Sequence, residues 1–333
     1  MTAAKSPKRR SWIRSLLYLI LILLAAGAIT FVLGPREPVD LTLRFSATAV
    51  DEDLDRYLEN SEASVPDLRD SAEKEIVWAF PESRAKTPIA LVYLHGFSAA
   101  KAEIRPVPDM AAEALQANIF YTRLTGHGRD GPAMASASVN DWLNDTAEAI
   151  EIGNRIGDKV VLVSTSTGGT LAALAAAHPE LKDRIDGIVF VSPNFAIRSR
   201  LAGLLTLPFA RDFIPVIGGR QRSFEPVNDR HAKNWTTRYP TVAVLPMAAL
   251  VRHVRTVALG DVDVPALFIF HPEDQIVDPV ATETTMERWG GPVSVLRAEA
   301  SGDAYNHVIA GDIMSPSNNA AFATAITEFV NSI

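Results

Sequence analysis

From residue 75 to the C-terminus, short apolar runs alternate with segments of helical periodicity, and this alternation constrains the fold more than any other feature. The apolar runs are uninterrupted, which is typical of strands buried on both faces of a sheet. The predicted strands are 75–80, 89–96, 118–124, 159–165, 186–193, 264–274 and 293–300. The predicted helices that alternate with them are 110–117, 139–157, 168–178 and 318–333. The pattern indicates an α/β fold with a mostly parallel central sheet and helices on both faces.

Two segments lie outside this alternation. Residues 194–262 contain several prolines, a pair of glycines and a helical stretch at 247–259, so we expect a cap inserted over the top of the sheet. Residues 34–74 are rich in proline and acidic residues and are expected to form a linker and N-terminal extension. Within this extension the pattern predicts a short strand at Leu41–Phe45 and a short helix near Asp51–Ser61.

The N-terminus predicts a membrane anchor. Residues 1–15 form a basic flank without any acidic residue, and its cations are Lys5, Lys8, Arg9, Arg10 and Arg14. Residues 16–33 carry no charge. As a helix, this run would span roughly 27 Å, close to the about 30 Å of a bilayer's hydrocarbon core. The basic flank is expected in the cytoplasm, which places the rest of the chain on the extracytoplasmic side, the periplasm in a Gram-negative cell.

The apolar run has two other interpretations. A buried core helix would also be apolar, but it would not adjoin a purely basic flank. A cleaved signal peptide would release the protein, and small residues at 26–28 offer a cleavage site. The run is longer than the apolar core of a typical signal peptide, so the sequence favours an uncleaved single-span anchor.

Net charge and cysteine content exclude several classes of function. The net charge of −7 argues against nucleic acid as a partner, because nucleic-acid-binding proteins present a basic face. The chain has no cysteine, which excludes disulfides, thiolate metal sites and a cysteine nucleophile. A catalytic site in this chain must therefore use other side chains.

The turn after the predicted strand 159–165 carries a candidate nucleophile. Its segment STSTG (164–168) fits the strand–turn–helix motif G-x-S-x-G, with Ser164 in place of the first glycine. Small residues two positions before and after the nucleophile let the strand and the helix approach closely. Ser166 meets this requirement better than Ser164, which would have Leu162 and Ser166 at those positions. The alternative role of these hydroxyls is to cap the helix 168–178.

A serine nucleophile needs a base to accept its proton and an acid to orient that base. In this architecture the three residues follow the chain order Ser, Asp or Glu, His. Of the seven histidines, His307 lies in a loop after the last predicted strand, at the sheet edge where catalytic groups converge. The histidines outside this region are expected to be surface or capping residues: His178, His231 and His253.

The acid is expected at the end of the predicted strand 264–274. Asp274 is the first candidate, and Asp278 is the main alternative. Glu273 is expected to face solvent, and His271 is expected to form hydrogen bonds within the loop. The residues alone leave the choice between the two aspartates open.

An acyl-transfer site also needs donors for the oxyanion of the tetrahedral intermediate. One is expected to be the backbone N–H of Thr167, the residue after the nucleophile. The other is expected to be the Phe97 N–H, in the His95–Ser98 loop that follows the strand 89–96. Gly96 permits the backbone conformation that would aim this N–H inward.

Residues from about 75 to 333 resemble the α/β-hydrolase family, in particular its monoglyceride-lipase and serine-aminopeptidase-like branch. The resemblance is carried, in the family's order, by YLHGFS, LTGHGRDG, DWLNDTAEAI, VSTSTGG, PALFIFHPEDQIVDP and NHV. It implies a triad and two oxyanion donors, which are Ser166, Asp274, His307, Phe97 and Thr167. It also implies that residues 194–262 shape the substrate pocket and that His127 of the Gly126–Gly128 segment has a structural role.

The sequence departs from the family's pattern in three ways. Ser164 replaces the first glycine of the nucleophile motif. The segment 121–125 lacks the aspartate often found before the Gly-His-Gly segment. The predicted cap does not match a particular lipase lid. These departures leave the hydrolase reaction in place and weaken any statement about its substrate.

These features together predict a membrane-anchored serine hydrolase that cleaves a small carboxylic ester without a cofactor or metal. The apolar stretches 201–210 and 242–250 suggest an apolar acyl group, as in a lipid or acylglycerol, although both stretches also fit a cap core. Alternatives are a peptidase, amidase or thioesterase with the same triad, and a non-catalytic binding protein of the envelope. The oligomeric state is left open.

Overall fold

The computed structural model describes residues 8–333, so Lys5 and the rest of residues 1–7 of the predicted basic flank lie outside the described residues. The strands are β1 (Glu75–Val77), β2 (Thr87–Leu94), β3 (Asn118–Tyr121), β4 (Gly157–Thr165), β5 (Gly187–Val191), β6 (Gln221–Ser223), β7 (Arg238–Pro240), β8 (Ala266–Phe270) and β9 (Val293–Arg297). Seven of them form one sheet in the order β1-β3-β2-β4-β5-β8-β9. Strand β1 is antiparallel to β3, and the other pairs are parallel, which confirms the predicted mostly parallel sheet.

Helices cover both faces of this sheet. In chain order, the helices are α1 (Lys8–Leu33), α2 (Leu54–Ala63), α3 (Val107–Leu115), α4 (Gly131–Ser136), α5 (Val139–Ile156), α6 (Thr167–Ala177), α7 (Ala210–Ile217), α8 (Asp229–Asn234), α9 (Val244–Val254), α10 (Pro279–Arg288) and α11 (Asn319–Asn331). Helices α3 and α11 pack on one face, and α5 and α6 pack on the other. This is the predicted arrangement.

The apolar strands are uninterrupted because successive side chains enter two different cores. In β2, Ala90, Val92 and Leu94 join the core formed with α5 and α6. Leu91 and Tyr93 point the opposite way, into the core formed with α3 and α11. All five side chains are fully buried, so neither face of the strand tolerates a polar alternation.

Helix α1 stands apart from both cores. Its segment Trp12–Leu33 has 22 residues and a mean hydropathy of 2.8, and its side chains are exposed. The exposure excludes the interpretation as a buried core helix. The length and composition fit a membrane anchor and equally fit a signal sequence.

The predicted strand Leu41–Phe45 is wrong. These residues are extended, but within the described residues they pair with no strand. Side chains of α5 satisfy their backbone instead, because Asn144 Oδ1 accepts the Arg44 and Phe45 N–H groups at 2.6 Å each. Sequence periodicity does not distinguish a strand from an extended segment held by side chains.

The residues after α1 form an extended segment, 34–46, which we call the strap. The Pro35 carbonyl accepts the Phe209 N–H at 2.7 Å. The Glu37 carboxylate accepts both the Nε and Nη2 donors of Arg211, at 2.7 and 2.6 Å. The Glu37 side chain is only 3% exposed, so this ion pair is desolvated on its acidic side. The strap therefore holds the chain that follows α1 against the start of α7.

Residues 194–262, which we call the cap segment, contain more structure than the sequence indicated. They include a 3₁₀ turn at Ala202–Thr206, helices α7, α8 and α9, and an antiparallel pair formed by β6 and β7. The apolar stretch 242–250 is almost entirely buried, whereas the stretch 201–210 is largely half-exposed. Helix α9 packs against the 3₁₀ turn and against α5 and α6, so its apolar residues join the cap segment to the core on that face of the sheet.

The departure at 121–125 has a structural counterpart in the N-terminal extension. Arg123 donates from Nε and Nη2 to the two carboxylate oxygens of Glu62 on α2, at 2.8 Å each. Both side chains are buried. Burial raises the pKa of Glu62, but the hydrogen bond and charge of the Arg123 guanidinium lower it by more, so the pKa lies below its ordinary value. The pair fixes α2 to the chain beside the Gly-His-Gly segment.

Candidate active site

Ser166 lies at a sharp bend between β4 and α6. Its backbone has φ 51° and ψ −113°, a conformation that side-chain-bearing residues rarely adopt. Two hydrogen bonds to residues outside α6 hold it: the Ser166 N–H donates to Val191 O at 3.1 Å, and the Asn194 N–H donates to Ser166 O at 3.0 Å. Such strain persists only when the surroundings over-determine it. Here β5 and the residues after it do so.

The two small positions that flank Ser166 have different structural reasons. A Cβ atom at Gly168 would lie 2.1 Å from the Leu94 carbonyl oxygen, so α6 approaches β2 too closely for any side chain. At the other position Ser164 is fully buried, and its hydroxyl donates to Val189 O at 2.9 Å. The departure from the family pattern is therefore accommodated by a hydrogen bond to the neighbouring strand.

His307 is held in a loop between β9 and α11. The Asp303 carboxylate accepts the N–H groups of His307 and Val308, at 3.0 Å each. The backbone N–H of Asp303 in turn donates to the hydroxyl oxygens of Ser301 and Ser315. This network fixes the backbone on both sides of the His307 ring.

The structure brings Ser166, His307 and Asp274 into a chain of hydrogen bonds. The Ser166 hydroxyl donates to His307 Nε2 at 3.1 Å, and His307 Nδ1–H donates to Asp274 Oδ2 at 2.7 Å. Asp274 is 1% exposed, and its other oxygen accepts the N–H groups of Ile276 and Val277 at 2.8 and 2.9 Å. The carboxylate is thus fully engaged, with one oxygen oriented by the loop and the other facing the imidazole.

The alternative acids lie elsewhere. Asp278 is the N-cap of α10, where its carboxylate accepts the Val280 N–H at 3.1 Å. Glu273 is exposed, as expected. His271 Nδ1 accepts the Glu273 N–H at 3.0 Å, so it bonds within the loop. Of the two candidate aspartates, the structure places Asp274 against His307.

The remaining histidines have other partners. His178 caps the end of α6 and lies 3.2 Å from Leu41 O through Nε2. His231 Nδ1 accepts the Val227 N–H at 3.2 Å, and His253 lies at the end of α9. His127 is fully buried against the rings of Phe97 and Trp142. Burial holds the pKa of His127 well below its ordinary value, which suits a neutral packing residue.

The two predicted oxyanion donors belong to the residue that follows Ser166 and to a loop that comes close to Ser166, since a Cβ atom at Gly96 would lie 3.2 Å from Ser166 Cβ. Thr167 is the first residue of α6, where backbone N–H groups have no partner within the helix. The Phe97 N–H has no acceptor within the described part of the chain. His95 fixes this loop, because its Nδ1–H donates to Gly96 O at 2.9 Å and its Nε2 accepts the Leu124 N–H at 3.1 Å. Both N–H groups are therefore available to a ligand.

A buried carboxylate that sequence reasoning missed supports the same loop. Glu103 Oε2 accepts the Gly96 N–H at 2.7 Å and the Tyr93 hydroxyl at 3.0 Å. Glu103 is 3% exposed, and burial raises its pKa to about 7 against the lowering effect of the Gly96 and Tyr93 hydrogen bonds. A Cβ atom at Gly96 would lie 2.6 Å from Glu103 Oε1, so glycine makes room for this carboxylate.

Carboxylates surround His307 and control its basicity. Burial lowers the pKa of His307, but the charge and hydrogen bond of Asp274, with the charges of Glu103 and Asp303, raise it above its ordinary value overall. No sequence motif indicated Glu103 or Asp303, and both act on the site through atoms that only the folded chain brings together. The single signal was local: Asp303 lies four residues before His307.

A cleft of about 700 Å³ lies where the cap segment meets the Asp274 loop. Its wall combines apolar and charged side chains, namely Ile197, Arg198, Arg222, Pro272, Glu273 and Ile276. Arg198 donates from Nη1 to the Asp274 carbonyl oxygen, which joins the cap segment directly to the loop of the acid. The cap segment therefore borders the site.

Residues 91–312 match the alpha/beta hydrolase family. No curated protein matches the chain in sequence.

Similar solved structures cover most of the chain at low identity. One of two metagenome-derived lipolytic enzymes, LipS and LipT, is 20% identical, with a TM-score of 0.63 over 79% of this chain and 99% of that chain. The Paleococcus ferrophilus monoacylglycerol lipase is 16% identical, with a TM-score of 0.55 over 78% and 98%. A soluble variant of Saccharomyces cerevisiae monoglyceride lipase is 12% identical, with a TM-score of 0.55 over 80% and 95%. At such identities these likenesses establish a shared fold.

The two small positions around Ser166 predict different responses to substitution. Gly168→Ala forces a Cβ atom against the Leu94 carbonyl, so we expect the free energy of unfolding to fall by about 1–3 kcal/mol. It should also displace Ser166 and slow its labelling by a fluorophosphonate. Ser164→Gly removes one hydrogen bond and should cost about 1 kcal/mol while labelling stays near the wild-type rate. Urea unfolding in detergent and labelling kinetics measure both; equal behaviour of the two variants would contradict this account.

The buried carboxylates predict the pH dependence of Ser166 reactivity. Labelling requires neutral His307, so its rate rises with pH, with a midpoint above about 6.5, the ordinary pKa of histidine. Glu103→Gln keeps an oxygen for the Gly96 N–H and removes a charge that favours protonated His307. We expect the midpoint to move to lower pH by about one unit or less.

The matched control is Glu299→Gln, which removes an exposed carboxylate from the same loop between β9 and α11. Its midpoint should equal that of the wild type. A Glu103→Gln midpoint that stays in place, or moves to higher pH, would show that the Glu103 charge does not act on His307.

Proposed function

The chain belongs to the alpha/beta hydrolase family, and we propose that it is a serine hydrolase that cleaves carboxylic esters through an acyl-enzyme intermediate. The observation that carries the proposal is the uninterrupted hydrogen-bond chain from Ser166 through His307 to Asp274, at 3.1 and 2.7 Å. All three side chains are buried. A serine hydroxyl in this arrangement has both an imidazole base and a carboxylate that orients that base.

In the proposed reaction, Ser166 Oγ attacks the ester carbonyl carbon while His307 Nε2 takes the hydroxyl proton. Asp274 holds the imidazole through Nδ1–H and stabilises the imidazolium that forms. The carbonyl oxygen becomes an oxyanion, which accepts the Phe97 and Thr167 N–H groups. His307 then gives its proton to the departing alcohol. Water, activated by the same imidazole, releases the acid and restores Ser166.

An ester with an apolar acyl group is the proposed substrate class. Two of the similar structures are lipases of monoacylglycerols or monoglycerides, and a third is a lipolytic enzyme. The apolar residues of the cap segment near the site support this choice: Phe97 packs edge-on against Tyr239, and Asn194, which bonds to Ser166, contacts Met247 at 3.3 Å. An acyl chain would find an apolar wall there.

We also propose that α1 is an uncleaved membrane anchor and that the hydrolase lies on the extracytoplasmic side. The support is the apolar segment Trp12–Leu33, which is long enough to span a bilayer and is unburied, and the basic residues before it. An enzyme placed at a bilayer surface encounters esters that partition into lipid.

Other interpretations of the site have less support. An amide, peptide or thioester would use the same three residues, and nothing in the described residues favours one of these over an ester. A non-catalytic binding protein has no need for a buried serine in a strained backbone conformation with a matched base and acid. We therefore retain the ester as the substrate of the proposal.

Replacement of the proposed nucleophile tests the reaction type. Ser166→Ala should abolish fluorophosphonate labelling and lower ester hydrolysis by on the order of 10⁴- to 10⁶-fold. The control Thr165→Ala changes a neighbouring hydroxyl outside the proposed triad and should still label. Labelling of Ser166→Ala at the wild-type level would exclude Ser166 as the nucleophile, and an unlabelled wild type would exclude the mechanism.

A series of p-nitrophenyl esters of increasing acyl length tests the substrate class. If the apolar wall binds the acyl chain, kcat/KM should rise from acetate to longer chains, by up to about fifteenfold for two added methylene groups at about 0.8 kcal/mol each. A preference for acetate over every longer ester would reject the apolar acyl group while leaving the serine mechanism intact.

A further inference from the structure

The chain leaves α1 directly onto the cap segment. Helix α1 ends at Leu33, and Pro35 already accepts the Phe209 N–H at 2.7 Å. Two residues of extended chain cover at most about 7 Å. Phe209 therefore lies about 10 Å or less from the end of the apolar span, within reach of the headgroup region of a bilayer that α1 crosses.

A second contact fixes this position. Glu37 and Arg211 form a bidentate ion pair in which the Glu37 side chain is 3% exposed. Charge pairs of this geometry are directional and costly to break when one partner is buried. The first turn of α7 is thus held beside the strap at two successive points, rather than joined to α1 by a free linker.

The part of the cap segment held there is unusually apolar on its surface. Val216 is the most exposed large apolar side chain of the described residues beyond α1, at 81%. Leu201 and Ile217 are 68% and 63% exposed. Helix α7, which carries Val216 and Ile217, packs against the 3₁₀ turn that begins just after Leu201. Helix α7 is only about 12 Å long, so these side chains also lie close to the strap.

The same region is basic in a protein that is acidic overall. Residues 194–223 contain five arginines and one aspartate, whereas the whole chain has a net charge of −7. Arg200 and Arg220 are exposed and adjoin the apolar side chains along the sequence. Apolar side chains among arginines match a membrane surface with anionic lipids, where the former enter the interface and the latter contact the headgroups.

We propose that Leu201, Val216, Ile217, Arg200 and Arg220 form a membrane-docking face, and that the strap holds this face against the anionic surface of the bilayer crossed by α1. The inference rests on the membrane attachment proposed above. It assigns the strap a function. A flexible tether after the span would let the domain tumble, whereas the bonds that Phe209 and Arg211 form with the strap fix the orientation of the domain. The cap segment, which borders the site, then faces lipid.

The absence of cysteine makes this proposal directly testable. Single cysteines at three positions of the full chain carry the environment-sensitive fluorophore NBD, and each protein is reconstituted in vesicles that contain phosphatidylglycerol. Val216→Cys probes the docking face, Ile22→Cys probes the span, and Phe80→Cys is the control. Phe80 is 46% exposed in the loop between β1 and β2, beside the start of β3 and so at the sheet edge opposite Ser166. Quenching by nitroxide lipids and by aqueous iodide reports the depth of each probe.

We expect lipid quenching at 216 and 22, and iodide quenching at 80. A probe at 216 that iodide quenches as strongly as the probe at 80, while 22 is lipid-immersed, overturns the docking face and leaves the anchor standing. A probe at 22 that is itself accessible to iodide overturns the anchor and the docking face together. The failure of the proposed attachment is therefore distinct from the failure of this inference.

The lipid charge gives an independent test. In the Val216→Cys protein, Arg200→Glu with Arg220→Glu should lower the docked-to-undocked ratio by about fivefold or more per replaced arginine. Phosphatidylcholine vesicles should produce a similar loss with the unaltered arginines. Quenching at 216 that depends on neither change would reject the anionic surface as the partner. Ester hydrolysis in solution should be unchanged, since neither arginine contacts the proposed triad.

Discussion

The close approach of helix α6 to strand β2 is the constraint on which the site depends. It is possible because Gly168 has no side chain where the Leu94 carbonyl passes. The approach leaves no room for a gradual turn after β4, so the chain bends within one residue, Ser166, at positive φ. That bend places the serine hydroxyl at the carboxyl edge of the sheet, where the loops after β2, β8 and β9 also begin. The other site residues meet there as a consequence of strand order.

Three buried carboxylates then determine how His307 behaves. Asp274 faces the ring, Asp303 holds the backbone of the loop, and Glu103 supports the opposite loop through the Gly96 N–H. Each carboxylate is satisfied by hydrogen bonds, as buried polar groups must be. Burial alone would lower the pKa of His307 and make it a weaker base, and the negative charges of the three carboxylates raise that pKa again. The electrostatics of the site thus come as much from loop supports as from the hydrogen-bond chain itself.

The parts that sequence predicted well are those governed by periodicity. The inner strands of the sheet are largely buried on both faces, so their positions followed from uninterrupted apolar runs, whereas the edge strand β9 is largely exposed. Ser166 and His307 followed from their places after predicted strands. The acid was harder, because Asp274 and Asp278 differ only in which loop atoms they meet; Asp278 caps α10, a role invisible without the turn geometry. Leu41–Phe45 failed for the reverse reason, since an extended chain bonded by Asn144 has the composition of a strand. Glu103 and Asp303 carry no motif at all.

The N-terminal segment links properties that the sequence treats separately. The strap contacts α7 through Phe209, the end of α6 through His178 and the start of α5 through Asn140. It therefore crosses the helix that carries Ser166 at the end opposite the bend, about 16 Å away along an eleven-residue helix. A chain that runs from the cap segment to the far end of α6 places the exit of α1 on the cap side of the sheet. The same hydrogen bonds that order the extension thus decide which side of the molecule would face a membrane.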